Sequence, residues 1–192
     1  MRHTNIRDIF GSLVSEICNY VTIEPQLIHL LGETFALQST TTDDDARLDV
    51  SAHGFWSRGA RAFFDVRVFN PMARSYRSTP IETLYKRFEK EMKRKYNERV
   101  LQAEHGSFTP LVFSTLCGYG CEADHTIKQL AERISLKQNA NYYKTVTMIR
   151  MDIAFSIIKA TALCIRGSRS KYFKQPSNTI DVALDVANAR IM

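Results

Sequence analysis

Apolar positions along the chain follow two periods. Between residues 47 and 69 the period is two: Leu48, Val50 and Ala52 alternate with Asp49, Ser51 and His53, then Phe63, Asp65, Arg67 and Phe69 alternate with Phe64, Val66 and Val68. Alternation rich in β-branched and aromatic residues marks strands, and Ser57-Arg58-Gly59 between them supplies turn chemistry. Elsewhere the period is helical. Ile6, Ile9, Phe10, Leu13, Ile17 and Tyr20 predict an amphipathic helix over 4–20 with Thr4 as its N-cap. Ile81, Leu84, Tyr85, Phe88, Met92, Tyr96 and Val100 predict a second over 80–101, with Ser78 or Thr79 as cap and Pro80 in the first turn. Residues 123–138 and 141–165 predict two more. The segment from Tyr20 to Leu30 reads as a strand interrupted at Pro25, and His105–Leu116 as a strand buried on both faces. Residues 32–46 read as a polar loop.

The expected fold class is therefore α/β. A mixed central sheet has the order helix-strand-strand-strand-helix-strand, and C-terminal helices pack on the core. Residues 1–118 form the α/β core, 119–168 a helical extension and 169–192 a basic tail. No stretch approaches the roughly 20 apolar residues of a membrane span, so no membrane partner is expected.

Charge narrows the partners. Twenty-six Lys and Arg against twenty Asp and Glu leave a net charge of +6, which favours an anionic partner such as nucleic acid. The helix over 80–101 carries seven basic residues against four glutamates. It is either a solvated face with pairs such as Glu89–Lys93 and Glu91–Lys95, or a groove-lining helix that touches phosphates. Arg166, Arg169, Lys171 and Lys174, interleaved with Tyr172 and Phe173, suit a nucleic-acid backbone with some base stacking, and equally an exposed tail. The four cysteines form no framework, and Cys117-Gly-Tyr-Gly-Cys121 reads as a glycine-rich turn with incidental thiols, pointing to a reducing intracellular compartment. Asp43, Asp44 and Asp45 read as a solvated loop, since consecutive acids cannot all face one ion.

The register of the hairpin carries the candidate chemistry. Centred on Ser57, it sets Asp49 opposite Asp65, with Cβ atoms roughly 5 Å apart on one face. Two carboxylates so close repel unless a cation lies between them, and Mg²⁺ takes one or two carboxylates together with phosphate oxygens. Arg67 points to the same face and could contact a phosphate. Glu16, on the border of the first helix's stripe, could reach such a site or remain a solvated flank. His53 shares Asp49's strand face and could touch it, or simply pack. A slip of one residue would send one acid to the opposite face.

The order Asp49, Asp65 followed by Arg67, then a Lys-rich helix ending in Tyr96, resembles the restriction-like endonuclease domain of site-specific non-LTR retrotransposons, within the PD-(D/E)xK nuclease superfamily. The stretches RHTNIRDI, EPQLIHLLGETF, ARLDVSAHGFW, AFFDVRVFNP and HGSFTPLVFST are similar to the C-terminal part of metazoan retroelement open reading frames, so the resemblance covers roughly residues 2–170. It implies an α/β nuclease core with Asp49 and Asp65 as ligands of Mg²⁺ or Mn²⁺, and DNA as the substrate, nicked before reverse transcription. The parent element's polymerase and zinc knuckle are absent from this chain, which looks like a detached C-terminal piece. A DNA substrate makes the expected location nuclear.

The chain departs from that pattern at three places. Leu48 stands where proline would precede the first acid, although Arg47 keeps the basic residue. Arg67 replaces the strand lysine, and Met92 occupies the helix position four before Tyr96 where a migrated lysine would lie. Of its neighbours, Lys93 points about 100° away and Lys95 about 300° away, so only Lys95 is near the same side. Arg67 stays protonated and is a poor base. The expectation is a weakened endonuclease with Asp49, Asp65, Arg67 and Lys95 as catalytic candidates. Arg47, Lys93, Arg94, Tyr96, Arg166, Arg169 and Lys171 are the candidate DNA contacts. The alternative is an inactive nucleic-acid-binding remnant, or a domesticated interaction module, that keeps the nuclease fold.

Overall fold

The computed structural model describes residues 2–28 and 47–167. The expected loop over 32–46 with its three aspartates lies outside them, as do Arg169, Lys171, Lys174 and the side chain of Arg166. The chain divides into two compact units, Met1–Thr161 and Ala162–Met192, and the first holds every element below apart from the last turns of its final helix.

Helix α1 (Arg2–Ile17) is followed by β1 (Asn19–Ile23), β2 (Val50–His53), β3 (Arg61–Phe69), α2 (Ile81–Gln102), β4 (Ser107–Ser114), α3 (Cys121–Gln138) and α4 (Tyr142–Gly167). The strands form one sheet in the order β1-β2-β3-β4, antiparallel except for the parallel β3–β4 pair that α2 connects. The mixed α/β sheet and its element order are as the periodicity predicts. Bounds differ at the start: α1 begins before Thr4, which is a helical residue and not a cap, and it ends before Tyr20, which belongs to β1. Pro80 itself occupies the cap position of α2 without a side-chain bond, so neither Ser78 nor Thr79 caps it.

Strand alternation splits the core between the two sheet faces. Phe64, Val66, Leu111 and Phe113 face one way, against Ile6 and Phe10 of α1, Ile127 and Leu130 of α3, and Ile149 and Ile153 of α4. Phe63, Phe69, Phe108 and Val112 face the other, where Leu84, Phe88 and Met92 of α2 cover them. β4 is buried on both faces, as its continuous apolar run requires.

Two polar ties fix how these layers meet. Arg133 of α3 donates to the carbonyls of Gly54 and Phe55 at the hairpin tip, both at 2.7 Å, and to Ile17 at the C-terminus of α1. A cation at a helix C-terminus is favourable, and this one pins that end of α1 to the loop between β2 and β3. The loop turns through Gly54 and Gly59, whose φ of 80° and 83° suit glycine. The second tie is Glu89 of α2, buried, which accepts the Glu122 N–H at 3.1 Å. Gly120 at the N-cap of α3 has no side chain to offer, so a carboxylate from another helix does the capping. Replacing Glu89 with Ala is expected to destabilise the fold by about 1–2 kcal/mol, read from the urea midpoint, whereas Glu89→Gln loses less because its amide oxygen still accepts.

Candidate metal centre

β2 and β3 pair as Val50–Phe64, Ser51–Phe63, Ala52–Ala62 and His53–Arg61, each symmetric about Ser57. Continued by one residue, this register sets Asp49 against Asp65. The ladder stops at Val50, yet Asp49 still donates its backbone N–H to Phe64 at 3.1 Å, and its carboxylate Oδ2 accepts the Val66 N–H at 2.5 Å. The side chain thus takes over where the strand's own carbonyls end, which holds the acid, buried, at the end of β2.

A third group joins the two acids. Because Arg133 fixes the C-terminus of α1 at the hairpin tip, the helix's N-terminus reaches the opposite end of the strands. There His3 Nε2 lies 2.9 Å from Asp49 Oδ2. One ligand atom each from His3, Asp49 and Asp65 lie within 4.8 Å of one another, the metal-capable cluster found among the described residues.

The electrostatics show what this cluster lacks. Burial first, then the charge of Asp49 and a hydrogen bond to it, push the Asp65 carboxyl from 3.8 up to about 7, while His3 and Lys95 pull the other way. The bond to Asp49 raises the His3 imidazole, with the charges of Asp49 and Asp65 adding to it and burial opposing. Two carboxylates in a mostly buried site want positive charge, and the nearest cations of the chain do not fully supply it. An O,O,N donor set with that deficit fits a divalent ion.

Around the cluster, α2 forms one wall of a cavity of about 250 Å³ lined by His3, Asp65, Arg67, Met92, Lys95 and Tyr96 among others. Arg67 pairs with Glu91 at 3.2 Å and lies over the Phe88 ring. Lys95, exposed, rests its ammonium 4.7 Å from the Tyr96 ring centroid. Met92 is buried as the apolar part of the wall, so Lys95 is the lysine that the helix presents to this cavity. Arg87, Lys90, Glu91 and Arg94 line a second concavity on α2, and Glu91 belongs to both.

Several candidates lie elsewhere. Glu16 sits at the far end of α1, thirteen residues on from His3, and is bonded to Gln138 at 2.9 Å. Lys93 pairs with Glu122 of α3, on another side of α2, so neither expected pair within α2 forms: Glu91 takes Arg67 and Glu89 caps α3. His53 packs edge-on against Tyr20, 5.8 Å between centroids, at the hairpin-tip end of β2. Arg47 bridges Gln26 ahead of β2. Cys117 and Cys121 are free thiols, in keeping with the turn reading.

His3 escaped the sequence reading. With Thr4 taken as the cap, it fell outside the helix. Its signal was present: His3 extends the Ile6–Phe10–Val14 stripe backward by one helical step, which places its imidazole on the face that meets the sheet.

No protein-family model matches the chain, and no curated protein matches it.

The pH dependence of stability follows from Asp65. Its folded-state pKa is raised to about 7 from 3.8, so the folded chain holds a proton there that the unfolded chain releases. Without added metal, the contribution of Asp65 to stability is therefore most favourable at acidic pH and falls as pH rises through that interval. His3, also raised, loses its contribution in the same direction. Asp65→Asn is expected to flatten this dependence and to raise the melting temperature at pH 8 by several degrees, measured by calorimetry in chelator.

Proposed function

We propose that this chain is a metal-dependent DNA endonuclease domain of retroelement origin, nicking a phosphodiester at the Asp49–Asp65 cluster. The observation that carries this reading is the meeting of two carboxylates across one hairpin, with His3 beside them, where Asp65 and His3 open on a cavity also lined by Lys95 and Arg67. The order Asp49, Asp65, Arg67 and Lys-rich α2 supports the superfamily resemblance.

Asp49, Asp65 and His3 would hold Mn²⁺ or Mg²⁺, with the imidazole tipping the set toward Mn²⁺. Bound there, the ion would polarise the scissile phosphate and acidify the attacking water. The chain's own residues do the rest. Val66 N–H and His3 hold the Asp49 carboxylate in one orientation. The Arg67 guanidinium, oriented by Glu91 and the Phe88 ring, stays protonated and donates to a non-bridging phosphate oxygen. Lys95 places a mobile positive charge at the same cavity, where it offsets charge developing on the phosphoryl oxygens. Arg87, Lys90 and Arg94, spaced to share one helix face, would track the DNA backbone away from the cluster.

One observation favours a nucleic-acid-binding remnant instead. His3, half exposed, already gives Asp49 a partner from within the chain, and Met92 fills the lysine's usual wall. Calorimetric titration of Mn²⁺ separates the two readings without requiring the right DNA. The endonuclease reading expects binding in the wild type, lost in both Asp49→Asn and Asp65→Asn, with Asp49→Asn keeping an acceptor for Val66. Plasmid nicking in Mn²⁺ should disappear in the same variants and fall about 100-fold in Lys95→Ala. A wild type that neither binds Mn²⁺ nor cuts DNA, while retaining salt-dependent DNA binding, refutes it in favour of the remnant.

A further inference from the structure

Helix α4 has two apolar faces. Val146, Ile149, Ile153 and Ile157 are buried in the core. On the opposite side Met148, Met151, Phe155 and Ile158 are exposed, Phe155 at 66% and Ile158 at 56%. Their steps of three, four and three residues follow the a/d positions of a heptad, the spacing that faces another helix and not the wider stripe that faces a sheet. Beside the stripe lies a groove of about 800 Å³ between α4 and α1, lined by Ile9, Leu13 and Phe155, with Asp152 and Lys159 on its α4 side. Large contiguous apolar surface of this kind marks an interaction site.

We propose that this face of α4 packs against the same face of a second copy of the chain, antiparallel, to form a symmetric dimer. Charge selects the occupant and its direction. Asp152 and Lys159 both follow a d residue, at the e position, and both are exposed. In an antiparallel pair e faces e, so a register that packs Phe155 against Ile158 of the second copy also sets Asp152 against the second copy's Lys159, twice by symmetry. Sliding by one heptad would set Asp152 against its own counterpart. A parallel pair would set e against g, where Thr147 and Ala154 offer no charge. The same surface is therefore complementary to itself in one arrangement, which is what a two-fold interface requires. The groove along α1 accommodates the flank of the incoming helix. This surface is separate from the metal cluster, and its test does not depend on nuclease activity.

Sedimentation velocity and equilibrium of the full 192-residue chain, in buffer of low and moderate salt, test this. The expected result is a concentration-dependent dimer. Asp152→Lys should weaken it about tenfold by opposing two pairs of like charges, and the double variant Asp152→Lys/Lys159→Asp should return it to within about threefold of wild type. Phe155→Glu, at an exposed position, should give a monomer with an unchanged circular dichroism spectrum. A monomer at every concentration, as when the chain's own residues beyond 167 cover the stripe, overturns the proposal. So does a dimer indifferent to Phe155→Glu and to charge reversal.

Discussion

Where the β2 ladder stops, the N–H of Val66 faces a stretch with no strand carbonyl to accept it, and the Asp49 carboxylate accepts that hydrogen bond at 2.5 Å. The rest of the site depends on this bond. It holds Asp49 buried and in one orientation beside Asp65, so that burial first, and then the Asp49 charge, raise the Asp65 carboxyl to about 7. The same Oδ2 also lies 2.9 Å from His3 Nε2, so one carboxylate oxygen meets both groups. A buried carboxylate serving as a backbone acceptor costs less than a bare one, which is how the fold tolerates two acids so near each other.

Three basic side chains line the cavity beside the acids, from three directions and with different freedom. His3 comes from a helix end that Arg133 locates from the far side. Arg67 comes from the same strand as Asp65 and is braced by Glu91 and Phe88. Lys95 comes from α2 on a flexible stem, resting on Tyr96. Braced groups near the acids and a mobile ammonium beside them are the arrangement that the proposed endonuclease reading draws on.

Much of this was legible before any coordinates. Period-two alternation located β3 from Phe63 to its end at Phe69, two residues short of its start at Arg61, and the turn residues centred the hairpin on Ser57, from which the Asp49–Asp65 pairing follows. The continuous apolar run of His105–Leu116 announced a strand buried on both sides. Lys95 was separable from Lys93 by helix angle alone. What escaped was long-range. His3 meets Asp49 only because α3 anchors the other end of α1 through Arg133, and no local pattern encodes that. Glu16 lay on a plausible stripe but at the wrong end of the same helix. Glu89 looked like a surface partner for Lys93, yet glycine at the start of α3 draws it inward as a cap.

The parallel pairing of β3 with β4 has a consequence for how the cavity is assembled during folding. Adjacent hairpin strands can meet within microseconds, so Asp49 and Asp65 can come face to face while the chain is still largely open. β4 must close over the whole of α2 before it docks, and such distant contacts form late. The acids can thus confront one another before β4 has docked. A cation captured at that moment would favour the correct strand register over its slipped neighbour.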